Sequence, residues 1–253
     1  MMEAMPIQND QRCRIKICGF KHIEQMKHIT ELDVDQIGFV FAKSKRQVTM
    51  EQAREMAEAL RNGHSNQKLP GFIPQIVGVF VNHPLDQLQQ IIDQVKLDVV
   101  QLHGNESLLY MEQLKQNNPE LIIWKVISVE EEIVAILDGE FKHNTDQTAT
   151  EKMFRLALEQ LVTYVPTVDA YLLDTPGGGT GKTFRWDTIS AYSQACRSLG
   201  IPLYVAGGLH PDNVEQLLQR YAVDGVDVSS GVETDGEKDW TKIHLFVRKV
   251  RES

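Results

Sequence analysis

The feature of this chain that most restricts its fold is a rhythm: a short apolar run, a polar or glycine-bearing turn, then an amphipathic run, eight times over 253 residues. RIKIC, 14–18, opens it, with Ile15 and Ile17 on one face of a strand and Lys16 and Cys18 on the other. DQIGFVF, 35–41, leads through the polar AKSKRQ into a helix capped by Thr49 that carries Met56, Ala57 and Leu60 on one side. IVGVFV (76–81), DVVQLHG (98–104) and LIIWKVI (121–127) are each followed by a helical pattern. The polar stretch 138–150 reads as a dispensable insertion loop ahead of helix EKMFRLALEQLVTYV. A strand ending on Asp174 follows, then helix DTISAYSQACRSL, strand PLYVAG (202–207), helix PDNVEQLLQRY, strand GVDV (225–228) and helix DWTKIHLFVRKV. Strands this apolar are buried on both faces, which predicts a single-domain α/β fold, a (β/α)8 barrel over 14–253, with residues 1–13 a loose extension. A doubly wound open sheet is the alternative.

Charge and cysteine content narrow the class of protein. A formal charge of −9 leaves no basic stripe for a phosphate backbone, so no nucleic-acid partner is expected, while a phosphorylated small substrate is compatible. Cys13, Cys18 and Cys196 lack the spacing of a disulfide framework or zinc site, so no metal is expected and a reducing compartment fits. No apolar run reaches the ~18 residues of a membrane span, and the first residues lack a signal-peptide core, so no membrane association and a cytoplasmic location are expected.

Barrels carry their chemistry where strands end, which collects Cys18, Arg46, His103, Asp174, Gly207, Gly208, Asp227, Ser230 and Gly231. Asp174 stands at a strand tip before PGGGTGK, either as a working acid or as the exposed Asp of a tight turn. Gly207 with Gly208, and Ser230 with Gly231, follow the last two strands, where backbone N–H groups commonly hold phosphate. Lys16 shares the interior face with Cys18; it needs a carboxylate, for which Asp227 is the candidate, and it is expected to enrich the Cys18 thiolate above Cys13 and Cys196. The plainer readings are a buried structural Cys18, a core His103 and a solvated Arg46. PGGGTGKT nearly spells a P-loop around Lys182, but Pro176 takes the place of its first glycine.

These residues fall in motifs that resemble phosphoribosylanthranilate isomerase: KICG at Lys16, GFVF with SKR to Arg46, VGVFVN at Val77, VQLHGNE at Val100, LLD with GGTG, AGGL at Ala206, and VDVSSGVE with GEKD. The resemblance implies a cofactor-free (β/α)8 barrel with Cys18 as general base and Asp174 as general acid. It places Arg46 at the anthranilate end, His103 and Asp227 along the site, and phosphate on the last two loops, in a monomer or homodimer. The implied reaction is an Amadori rearrangement of a phosphoribosyl amine. Lys45 departs from the family pattern, which commonly has proline there, and Arg185 stands where an acid often follows. Another phosphosugar isomerase or epimerase, a nucleotide binder using the Lys182 loop, and a catalytically silent binding module are the competing functions.

Overall fold

Valine, isoleucine and aromatic residues fit a pleated surface covered on both sides. In the computed structural model, which describes residues 12–65, 73–129, 131–140, 147–174 and 185–253, the apolar runs form a closed parallel barrel in sequential order. Its strands are β1 (Arg14–Cys18), β2 (Gln36–Val40), β3 (Gln75–Phe80), β4 (Val99–Leu102), β5 (Ile122–Ser128), β6 (Ala170–Asp174), β7 (Leu203–Val205) and β8 (Gly225–Val228). Closure pairs β8 with β1, Asp227 opposite Lys16.

Around the barrel lie α1 (Met26–Ile29), α2 (Met50–Ser65), α3 (Leu85–Val95), α4 (Leu108–Asn117), α5 (Glu131–Glu140), α6 (Gln147–Val162), α7 (Ile189–Leu199), α8 (Val214–Arg220) and α9 (Trp240–Glu252). Their starts are chemically marked. Thr49 and Gln52 exchange side-chain to backbone hydrogen bonds of 2.8 and 3.2 Å, a capping box before α2, and Asp239 Oδ1 accepts from Lys242 N at 3.2 Å at the start of α9.

Two expectations need correction. The stretch 138–150 is helical at both ends, since α5 reaches Glu140 and α6 starts at Gln147, leaving 141–146 outside the described residues. Polar composition alone hid the helix ends, because a helix on the surface can be polar over a whole turn. Of the extension, 1–11 lie outside the described residues, but Arg12 and Cys13 are anchored. The Arg12 guanidinium donates to Asp33 and Asp35, and the Cys13 carbonyl accepts from Arg251 Nη1 at 2.6 Å. Ion pairs with distant residues leave no mark on local periodicity.

The pleat sorts side chains into two cores. Outward residues such as Ile17, Phe39, Phe80, Leu102 and Leu173 pack beneath the helices, while Val77, Val99, Trp124, Val126, Leu172 and Tyr204 fill the interior. The Trp124 and Tyr204 rings meet at 4.2 Å across the barrel axis.

At the N-terminal ends of the strands, one device recurs at each second strand. Asp35, Asp98, Asp169 and Asp224 stand immediately before β2, β4, β6 and β8. Each carboxylate accepts the backbone N–H of the residue facing it on the preceding strand, respectively Ile15, Ile76, Ile123 and Leu203, all at 2.8 Å. Each aspartate N–H returns a bond to the same residue's carbonyl, at 2.9, 3.0, 2.8 and 2.9 Å. The aspartate carbonyls then reach the strand on the other side, Asp35 accepting from Gln75, Asp98 from Ile122 and Asp224 from Arg14. At the equivalent place beside Asp169 stands Pro202, which has no N–H to give. The result is a hydrogen-bonded girdle around the barrel floor with one open link.

Such a bond is worth about 1 kcal/mol net. Asp98→Ala is expected to lower stability by about 1–2 kcal/mol in urea denaturation, and Asp98→Asn by less because its amide oxygen still accepts. Asp35→Ala should cost more, because it also leaves Arg12 and Arg251 without that partner. Asp98→Ala with Asp224→Ala should sum to within about 0.5 kcal/mol. Unchanged stability of Asp98→Ala would remove the girdle's energetic meaning.

Candidate active site

Strand periodicity puts every second residue of the barrel wall inside, and at the C-terminal rim those residues are polar. Cys18 ends β1 and is buried; a Cβ on its neighbour Gly38 would stand 2.7 Å from the Cys18 sulfur, so the glycine of GFVF makes room for the thiol. Below it Lys16 is fully buried, with Nζ 3.0 Å from Asp227 Oδ1 and its charge acting on the thiol. Burial works against the ammonium, but Asp227 and Cys18 outweigh it and hold Lys16 above the ordinary lysine range.

Burial also pushes the Cys18 thiol up, and Asp227 adds to this; the pull of Lys16 and Lys238 does not reverse it. In the free protein the Cys18 thiol thus lies above the ordinary thiol range rather than below it. Cys13 and Cys196 are both pushed up to about 12, also by burial. Two lysines pull on the Cys18 thiol, whereas one arginine pulls on Cys13 and no cation on Cys196.

Arg46 is buried rather than solvated. Its Nε and Nη2 donate to the two Glu233 oxygens at 2.6 and 2.9 Å. Glu233 and Lys238 are register partners on a short antiparallel ribbon after β8, β9 (Glu233–Thr234) and β10 (Glu237–Lys238). The ribbon turns at Asp235 and Gly236, whose φ angles of 52 and 82° suit a tight hairpin. Lys238 Nζ donates to Glu233 Oε1 at 2.9 Å and to Ser229 O at 3.0 Å. Burial opposes the Glu233 carboxylate, yet Arg46 and Lys238 bring it down to about 2.

Across the mouth, Asp174 ends β6, buried, and His103 Nε2 lies 3.7 Å from Asp174 Oδ2. Burial, reinforced by Lys16 and Lys125, holds His103 below the ordinary imidazole range against the pull of Asp174 and Asp227. One pleat below, buried Gln101 Oε1 accepts no hydrogen bond among the described residues. The glycine-rich segment 175–184, Lys182 included, lies outside the described residues.

The two loops expected to hold phosphate lie side by side. Gly207 and Gly208 have φ of 83 and 69°, and Ser230–Val232 forms a single tight turn. A Cβ on Gly231 would fall 1.8 Å from Leu209 O, a close approach only glycine permits. Ser229 Oγ donates to Cys18 O at 3.1 Å, joining this loop to the thiol's own strand. Among the described residues no three His, Cys, Asp or Glu side chains gather in a way that could hold a metal.

Cys18, Lys16, Asp227 and Arg46 therefore share one buried network, and Asp174 and His103 form a second cluster on the opposite wall. Sequence reasoning overlooked Glu233, Lys238 and Gln101. Each sits inside a motif already singled out, VSSGVE, GEKD and VQLHGNE, and a charged or amide side chain at an inward strand or ribbon position was the available signal.

Known proteins resemble this chain in sequence and in fold. The family model described as N-(5'-phosphoribosyl)anthranilate (PRA) isomerase matches residues 15–148 and 143–249. The chain is 38% identical over 242 residues to the N-(5'-phosphoribosyl)anthranilate isomerase of Brevibacillus brevis, covering 94% of this chain and 93% of that one. Its fold is similar to that of N-(5'-phosphoribosyl)anthranilate isomerase from Pyrococcus furiosus, with a TM-score of 0.71 and 25% identity over 96% of this chain and all (100%) of that one. It is also similar to a phosphoribosyl anthranilate isomerase solved with reduced 1-(o-carboxyphenylamino)-1-deoxyribulose 5-phosphate, with a TM-score of 0.66 and 28% identity over 95 and 100% of the two chains. The chain belongs to the N-(5'-phosphoribosyl)anthranilate isomerase family.

Proposed function

We propose that this chain converts N-(5-phosphoribosyl)anthranilate to 1-(2-carboxyphenylamino)-1-deoxyribulose 5-phosphate in tryptophan biosynthesis, with Cys18 as general base and Asp174 as general acid. The observation that carries the reading, beside family membership, is that a buried thiol and a buried carboxyl end β1 and β6 at the same rim, below two glycine-bearing loops suited to an anion. Asp174 gives its proton to the ribose ring oxygen as the C1′–O bond breaks, and the anthranilate nitrogen lone pair forms the C1′ iminium. Cys18 takes the C2′ proton, leaving an enamine that becomes the ketone when a proton is placed on C1′ and the C2′ hydroxyl gives up its own. No atom is gained or lost, so one acid and one base suffice.

The surroundings suit both roles. A neutral His103 leaves Asp174 able to carry a proton, where an imidazolium would hold the carboxylate ionised. The Lys16 ammonium stabilises the thiolate when the proton leaves. Arg46, fixed by Glu233, faces the anthranilate carboxylate; Asp227 holds Lys16 upright; Gly207, Gly208, Ser230 and Gly231 receive the phosphate.

The decisive assay generates phosphoribosylanthranilate in situ and follows the loss of its fluorescence with and without the protein. No acceleration would refute the reading, and turnover of a pentulose phosphate instead would favour another phosphosugar isomerase. Cys18→Ser and Asp174→Asn are each expected to reduce turnover by about 10² or more while circular dichroism stays unchanged. Near-normal turnover in either folded variant would reject that role.

The base works as thiolate, and burial raises its pKa, so the thiolate fraction grows as pH rises. Because the reaction also needs a protonated acid, the kcat/KM of the free enzyme is expected to follow a bell, falling about tenfold per unit on the acid side and again on the alkaline side. A profile with no fall on the alkaline side would contradict the pairing of one acid with one base. Inorganic phosphate should compete with substrate, whereas tight ATP binding would point to the Lys182 loop instead.

A further inference from the structure

Resting on the reading above, we propose that Lys125 and Glu106 are positioning residues for His103: together they clamp the turn that follows β4 and so hold the imidazole against Asp174. Lys125 projects from β5 on the wall's outer side, opposite Leu102, and is buried there. All its donors are spent on one turn. Nζ lies 3.4 Å from Leu102 O, 2.6 Å from Gly104 O and 3.1 Å from Glu106 Oε2, bracketing His103 on both sides in sequence.

Glu106 completes the clamp. Its carboxylate accepts from Gly104 N at 3.0 and 3.1 Å and from Asn82 N at 2.8 Å, which ties the turn after β4 to the one after β3. Asn82 Oδ1 accepts from Asn105 N at 2.8 Å, and His103 N donates to Phe80 O at 2.8 Å. The backbone on either side of His103 is thus fixed from three directions, whereas among the described residues the ion-pair partner of its side chain is the Asp174 carboxylate at 3.7 Å. The imidazole's place therefore follows from the turn. The charged groups that act on it come from four strands: Lys16 on β1, Lys125 on β5, Asp174 on β6 and Asp227 on β8. Lys125 thereby has a second, electrostatic line of action, toward the neutral form of His103.

Lys125→Met alone strands a buried carboxylate and risks misfolding, so the informative protein is Lys125→Met with Glu106→Gln, in which the Gln oxygen can still accept from Asn82 and Gly104. Lys115→Met serves as control, because it removes a more exposed ion pair, Lys115 with Asp169 at 2.9 Å, at the N-terminal end of the strands, opposite to His103. Two readouts are taken on each: steady-state kinetics, and the ¹⁵N NMR titration of His103, assigned with His103→Gln. The double variant is expected to lose about 10–100-fold in kcat with KM within about twofold, and its His103 midpoint should shift, because the buried pair is gone and the imidazole is no longer held in one place against Asp174. The control should lose stability with neither readout moved. A folded double variant with wild-type kcat, or with an unmoved His103 titration, overturns the proposal. Absence of isomerase activity in the unaltered protein would instead refute the function, and the titration would then decide the clamp by itself.

Discussion

A barrel of parallel strands exists only if its last strand finds its first, and here that meeting is an ion pair. Lys16 on β1 and Asp227 on β8 are register partners 211 residues apart, sealed in the interior at 3.0 Å. Bringing such distant segments together costs on the order of 5 kcal/mol of loop entropy, which the surrounding apolar layers must offset. The pair itself is a poor source of stability, since two well-packed apolar residues would serve as well or better, while deleting one partner costs about 3–5 kcal/mol. Its justification is where it leaves the charge: an ammonium directly beneath the Cys18 thiol.

Around that thiol the charges do not balance. Lys16, Lys238 and Arg46 bring three basic groups, and Asp227 and Glu233 two carboxylates; burial lowers Lys238 below the ordinary lysine range, and when it is charged one positive charge is in surplus in a buried place. A surplus of this kind is relieved by an anion, whether the thiolate itself or an acidic ligand. This reconciles two facts that look opposed: burial keeps the resting thiol protonated, yet every atom needed to receive its negative charge is already in position.

Most of the fold could be read from the chain because parallel strands buried on both faces leave continuous apolar runs, and RIKIC and GVDV occupy the spans their composition marks. The site was legible wherever it ends a strand, as with Cys18 and Asp174. Other parts were not. Arg46 finds Glu233 187 positions later, and a bond across that separation has no local trace, so a buried cation looked like a loop charge. The state of Cys18 depends on how completely neighbouring strands exclude water, which only the closed barrel decides. Asp35 and Asp98 read as the first residues of their strands, and the part that the four aspartates play shows only when their partners line up in a ring.

That ring changes what a chain end means. Arg14 meets Asp224 across the seam between first and last strands in the same way that Gln75 meets Asp35 and Ile122 meets Asp98 inside the chain. The molecule is built as four quarter-turns, each a pair of strands buttoned by one carboxylate, and the junction that happens to hold the termini is equivalent to the others. A circular permutant opened at the Gln75 or Ile122 junction would inherit the same floor. The link interrupted by Pro202 is the exception: there the aspartate carbonyl has no N–H to receive, and closure passes instead to Tyr171 N on Pro202 O and the β6–β7 ladder that runs up to Ala206 N on Leu173 O.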